Sequence, residues 1–306
     1  MNYFICTPSY NENSGGAIVL HRLCHLINNI QGCNAYLVKS EPIFSGKLTV
    51  RMFFSQLKWY LINRKRFKVN YHWNTPVWSK RKFPKNSVVI YPEIINGNPL
   101  KINNVVRWFL HQPGYHTGEI DYSTGELYFK FNSAIDDFEF SGSSLSREEL
   151  KVIYYPIDIY NMDNINDCQR DIASCHMIRK GKDKSHIHSI DSVQVDGLTH
   201  DEMAKVFRRS KKFISYDDYT AYSIFAVLCG CESIVVPGIN RSIDDWYPNE
   251  SDRYGIAYGL SNEQKGWARD TCHYVHQHIV SEHEKSQLNV ERCVGEIESF
   301  FRNRSS

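Results

Sequence analysis

The chain has 306 residues, of which 42% are hydrophobic and 23% charged, with a formal net charge of +2. This balance suits a globular protein with a real core and excludes a disordered or fibrous one, while a charge so near zero gives no ground by itself for nucleic acid. The length is about twice the usual domain size, so two modest domains are expected.

Tyr3–Cys6 is a short apolar run ended by Thr7-Pro8-Ser9, followed by Asn13-Ser14-Gly15-Gly16 and then by Leu20, Leu23, Cys24 and Ile27 at helical spacing. The pattern reads as strand, glycine-rich loop and helix. Ala35–Val38 follows within a loop's length, so the chain opens on a βαβ unit with parallel strands. Between Pro42 and Pro92 there is no Asp or Glu, whereas Lys58, Arg64, Lys65 and Arg66 fall there among Trp59, Tyr60, Trp73 and Trp78. Such a basic aromatic segment suits either an anionic surface or a solvated helix with core aromatics. Ser87–Tyr91, Val105–Leu110 and Leu127–Phe131 extend the first sheet, and Ser146-Arg-Glu-Glu has the form of a capping box that starts a helix.

Lys151–Tyr155 then meets Pro156 and a polar stretch to Asp171, which places the domain boundary. The second half alternates again: Cys175–Arg179, a helix from about His200 to Ser210, Lys212–Tyr216, a helix from about Thr220 to Cys229, and Ser233–Val236. Val290, Cys293, Val294, Ile297 and Phe300 share one face of a closing helix. The expected organisation is a domain over 1–156, a second over 157–285, and a helix over 286–306 that packs back on the body. No stretch of about eighteen apolar residues marks a membrane span. The nine cysteines are odd in number and irregularly spaced, and the start lacks a charged, apolar leader; the expectation is reduced thiols and a cytoplasmic location.

Three segments carry chemistry. Gly15-Gly16 before a helix lets backbone N–H groups approach an anion at the positive end of the helix. Arg179-Lys180-Gly181 follows a strand directly, where two cations are placed to clamp a diphosphate. Asp217-Asp218 ends the next strand, and Thr220 and Ser223 open a helix with hydroxyls able to hold phosphate oxygens. A structural turn or a simple N-cap would use the same residue types. In the first half, Tyr91-Pro92-Glu93 and Leu110-His111-Gln-Pro-Gly114 each end an apolar run, and Glu93 or His111 can serve as acid, base or sugar contact. His186 and His188, and the group His273, His276 and His278, lack a Cys or carboxylate partner at metal-site spacing, so no metal is expected.

The order Gly-Gly then helix, Arg-Lys-Gly opening the second half, and Ser215-Tyr-Asp217, Thr220, Ala226-Val-Leu-Cys229-Gly-Cys231, Ile234-Val-Val-Pro237 resembles the GT-B glycosyltransferases, especially bacterial enzymes of lipopolysaccharide, O-antigen and capsule assembly. The resemblance covers most of the chain. It implies an α/β fold of two Rossmann-like domains facing a cleft, and sugar transfer from a nucleotide-diphosphate donor to a glycan or lipid-linked glycan acceptor, with no metal and no cofactor. It implies donor binding by Gly15, Gly16, Arg179, Lys180, Thr220 and Ser223, and chemistry by His111, Glu93 or Asp217. Acceptor or inner-membrane contact, peripheral in kind, would fall to Lys58, Trp59, Arg64, Lys65 and Arg66. Retaining members carry a second carboxylate where this chain has Phe225. A nucleotide-sugar-binding protein without catalysis and a nucleotide-sugar isomerase of the same architecture are the alternatives; nucleic acid is not an expected partner.

Overall fold

The computed structural model describes residues 1–40, 67–133, 135–140, 142–163, 170–238, 242–247 and 249–303. Lys58, Trp59, Arg64, Lys65 and Arg66 lie outside the described residues. The chain divides into two compact units, one formed by Met1–Tyr154 with His283–Ser306 and the other by Tyr155–Glu282.

In the first unit, β1 (Asn2–Thr7), β2 (Asn34–Lys39), β3 (Ser87–Pro92), β4 (Asn104–Phe109), β5 (Leu127–Lys130) and β6 (Ser144–Glu149) form one sheet in the order β2-β1-β3-β4-β5-β6. Every pairing is parallel. The strand alternation sorts the side chains by face. Tyr3, Ile5, Val88, Ile90, Val106, Trp108, Leu127 and Phe129 pack with Leu20, Leu23, Cys24 and Ile27 of α1 (Gly15–Asn28) and with Val290, Cys293, Val294 and Ile297. Phe4, Cys6, Val89, Tyr91 and Val105 point the other way, onto Ile95, Ile102, Trp78 and Phe83. Both faces are therefore covered, which is why these strands read as continuous apolar runs. Ser14 caps α1, its Oγ accepting from Ala17 N at 3.4 Å.

The expected capping box at Ser146 is not one: Ser146 lies inside β6, pairing parallel with β5. Its Oγ donates to Glu296 Oε2 at 2.6 Å. Leu150, Ile153 and Tyr154 do stand at helical spacing after it, but Pro156 cuts the run short and the parallel pairing with β5 wins. Two of the aromatics in the basic segment are core residues: Trp73 is buried, in contact with Tyr10 and Tyr154, and Trp78 packs on Phe4 and Tyr36.

The second unit holds β7 (Ile172–Met177), β8 (Val193–Gln194), β9 (Ser210–Ser215), β10 (Glu232–Val235) and β11 (Ile256–Tyr258) in the order β11-β10-β9-β7-β8, again all parallel. Its helices are α2 (His200–Arg209), α3 (Tyr222–Leu228), the single turn α4 (Ile243–Trp246), α5 (Asn262–Thr271) and the start of α6 (Val275–Arg302). Thr199 and Glu202 make a true capping box on α2, followed by buried Met203, Ala204 and Phe207. The row Met177, Ser215, Val235 and Tyr258 lies on one face of the sheet, the row His176, Ile214, Ile234 and Ala257 on the other. The first belongs to the side of α3, whose Val227 packs with Val235, and the second to the side of α5, whose Ala268 packs with Ile234.

Counted from its own first strand, each sheet runs 2-1-3-4-5, with a sixth strand added in the first unit. This is a doubly wound order, and it puts a topological switch point between β1 and β3 in one unit and between β7 and β9 in the other. Among the described residues no helix is long and apolar enough to cross a membrane. The cysteines of the described residues are free thiols; burial pushes Cys175 up to about 11 and Cys229 up to about 12, so they pack as inert apolar groups.

Candidate functional site

Open parallel sheets bind ligands outside the carboxyl ends of their strands, at the switch point. In the second unit the residues that follow β7 and β9 meet there. Arg179 Nε lies 3.7 Å from Asp217 Oδ2, joining the two strand ends across the switch point. The Arg179 side chain is 43% exposed and that of Asp217 5%, so the carboxylate is fixed and the guanidinium still faces water. The guanidinium also lies over the Tyr222 ring, 5.5 Å from its centroid. Lys180 is exposed beside it.

Arg179 has a φ of 39°, a left-handed conformation that disfavours a residue with a side chain. Asp196 holds it there, accepting from Ile178 N at 3.0 Å and from Arg179 N at 2.9 Å. Two residues on, Gly181 is buried against β9, and a methyl group in place of its hydrogen would come within 2.1 Å of the Tyr216 carbonyl oxygen. The close approach of Tyr216 by itself requires glycine at this position. Lys184, a residue that sequence reasoning missed, reaches across the next strand ends: its Nζ donates to Asp218 Oδ1 and to Val236 O, each at 2.6 Å.

Thr220 precedes α3, and its Oγ1 accepts from Tyr222 N at 3.4 Å. Ser223 stands in the first turn of α3, buried, and its hydroxyl has no partner among the described residues. An unpaired buried hydroxyl costs stability. The structure thus brings Arg179, Lys180, Asp217, Thr220 and Ser223 to one edge of the second sheet. Phe225 is buried and stacked on Tyr160, with ring centroids 4.3 Å apart.

The first unit presents a different chemistry at its own switch point. Glu93 follows β3 directly, is buried, and accepts from Leu110 N at 3.0 Å. Burial raises its carboxyl above the usual range, while the hydrogen bond from Leu110 and the imidazoles of His116 and His111 pull it down. His111 is exposed just beyond β4, and its ring lies in contact with Tyr115 and His116, at 4.2 and 4.8 Å between centroids. His116 and Tyr115 were not singled out by the sequence, because nothing in their spacing ties them to Glu93. Gly15 and Gly16 open α1, which follows β1, the other strand of the same switch point. Neither has a positive φ, and a side chain at Gly15 would meet nothing. At Gly16 it would only touch Leu110, so the protein's own packing does not demand glycine at either position.

No family model matches the chain, and no curated protein matches it. Among solved structures, UDP-GlcNAc 2-epimerase from Methanocaldococcus jannaschii is similar over 88% of this chain and 92% of its own, with 9% sequence identity and a TM-score of 0.36. A spinosyn rhamnosyltransferase is similar over 95% of this chain and 96% of its own, with 11% identity and a TM-score of 0.29. The same rhamnosyltransferase complexed with thymidine diphosphate gives 10% identity and a TM-score of 0.30 over the same shares. At such scores these likenesses carry no argument; the two strand orders and the side chains at their carboxyl ends do.

Proposed function

We propose that this protein is a glycosyltransferase that moves a sugar from a nucleoside-diphosphate donor to a glycan or lipid-linked acceptor. The observation that carries the reading is the set of basic side chains at the edge of the second unit: Arg179 paired with Asp217 across the switch point, Lys184 paired with Asp218, and Lys180 exposed beside them. Glycosyl transfer leaves negative charge on the departing diphosphate, and fixed cations stabilise it without a metal. Glu93 and His111 supply the carboxyl and the imidazole that proton transfer from an acceptor hydroxyl requires. A place in lipopolysaccharide, O-antigen or capsule assembly, in the cytoplasm with peripheral contact at the inner membrane, is the setting in which such an activity is used.

A thermal-shift series with nucleoside diphosphates and their sugars tests the reading, since a true donor raises stability by mass action. Arg179→Gly separates charge from fold. Glycine accepts the left-handed backbone of this position without strain, so the variant keeps its stability. It loses a charge-assisted contact of about 1.5–3 kcal/mol, roughly ten- to a hundredfold in donor affinity. An unchanged affinity in the folded variant would remove Arg179 from the clamp. His111→Ala lowers turnover about a hundredfold with nucleotide binding close to normal, the usual scale for a general acid or base. Turnover within a few-fold of wild type passes the role to Glu93 or Asp217.

Phe225 supports a second reading. It fills the place of a carboxylate that retaining members of the resembling family use, and its stacked, buried ring leaves no acid there. A nucleotide-sugar-binding protein without catalysis, or an isomerase, needs no such group. Release of free sugar or of diphosphate from a bound donor separates transfer from both.

A further inference from the structure

The loop from Gly181 to Ser192, between β7 and β8, is fastened to one side chain. Tyr216 is fully buried, and its hydroxyl accepts from Ile187 N at 2.7 Å and from His188 N at 3.1 Å. Those two donors occupy both lone pairs of the oxygen. Its single proton is therefore donated to the third neighbour, His188 Nδ1, 2.8 Å away. The arrangement works only with a neutral His188 whose Nδ1 carries a lone pair. A protonated imidazole would aim an N–H at a hydroxyl that has no acceptor left.

Among the described residues, the groups around His188 give a positive charge there no direct carboxylate partner. From β7, His176 stacks on it face to face, with centroids 3.7 Å apart and 9° between planes. From its own loop, His186 lies 5.1 Å away, and from the residue just after β9 comes the Tyr216 ring. The carboxylate in the neighbourhood, Asp196 after β8, acts on His176 and is already engaged by Ile178 N and Arg179 N. His176 is also tied to the loop through Ser192, Nδ1 to Oγ 3.0 Å. The same loop carries Lys184, which spans Asp218 and Val236 at the cationic edge.

We propose that the 181–192 loop is a proton-released latch on the nucleotide site: protonation of His188 unseats the loop from Tyr216 and frees Lys184 from Asp218. The regulatory part rests on the nucleotide reading given above; the latch itself does not. Burial and the neighbouring His186 already hold the His188 imidazole below its ordinary range, and burial does the same to His176. The latch is accordingly closed at neutral pH and opens on the acid side of the ordinary imidazole value.

Two measurements on the full chain between pH 5 and 8 test it. Hydrogen exchange of the peptide spanning residues 182–192, corrected for intrinsic rates, should lose at least about tenfold protection as the His188 ring titrates by NMR. Affinity for UDP, used as the probe, should fall several-fold over the same interval. Tyr216→Phe should remove the protection at every pH and abolish the step; if that variant does not fold, His188→Ala should show a pH-independent loop. Titration of His188 with unchanged protection overturns the latch, as does a UDP affinity that rises on acidification, which would mean the new charge adds to a seated loop. Loss of protection with no binding of any nucleoside diphosphate at any pH upholds the latch and removes the nucleotide reading.

Discussion

Arg107→Ala is expected to cost about 3–5 kcal/mol of stability, the scale found when one member of a buried ion pair is removed. Arg107 lies in β4, fully buried, and its guanidinium meets Glu126 twice: Nε to Oε2 at 2.6 Å and Nη2 to Oε1 at 2.6 Å. Nη1 and Nη2 also donate to the carbonyls of Ile95 and Gly97, and the Tyr122 ring closes over the cation at 3.9 Å. Glu126, also buried, accepts in addition from Ser123 N at 3.0 Å. Truncating the arginine strands this carboxylate in a dry setting and leaves two carbonyls unpaired. Replacing both charged residues at once, Arg107→Met with Glu126→Leu, should recover most of the loss, because the pair's attraction mainly offsets its own desolvation. Denaturant midpoints read both variants. A single substitution costing less than about 1 kcal/mol would mean that Glu126 reaches water or another partner in its absence.

Gly181→Ala is the second large effect, about 3 kcal/mol, at the top of what overpacking usually costs. The added methyl would lie 2.1 Å from the Tyr216 oxygen, 2.4 Å from its carbonyl carbon and 2.5 Å from its Cβ. These are backbone or backbone-proximal atoms of β9's extension and cannot swing aside as a flexible side chain does. The loop must lift, which draws Arg179 and Lys184 away from Asp217 and Asp218. Loss of UDP binding should therefore accompany the lower midpoint. A stable variant that binds as well as wild type would show that the loop's seat on Tyr216 is not what positions the cations.

How far the sequence led can be judged at particular residues. The strands were legible because parallel strands covered on both faces read as unbroken apolar runs, as in Ser87–Pro92 and Asn104–Phe109. The pattern Ser/Thr-x-x-Glu occurs at Ser146 and at Thr199, and only the second caps a helix. Met203, Ala204 and Phe207 follow Thr199 at helical spacing with no proline nearby, whereas Leu150, Ile153 and Tyr154 after Ser146 run into Pro156. Arg179 and Asp217 were visible because each directly follows a strand. Lys184, Asp196 and Tyr216 were not, since their roles depend on pairings made through the fold: Asp196 grips Arg179 N from 17 residues away and Lys184 reaches Val236 across 52. Gly181 was visible as a glycine after a strand, but the Tyr216 carbonyl that requires it was not.

The helix α6 begins among residues of the second unit, with Val275 and Ile279 in one core, and ends in the first, with Val290, Cys293 and Ile297 in another. During synthesis the second unit, Tyr155–Glu282, is an uninterrupted stretch that has all of its parts once it leaves the ribosome. The first unit, although it is made earlier, must wait with the part of one sheet face that α1 leaves open uncovered until the last helical turns arrive. The part of the protein nearest the amino terminus is thus the last to be completed. A chain that stops near Tyr154 would carry six strands with the α6 side of their core open to water, a form suited to capture by chaperones rather than to folding alone.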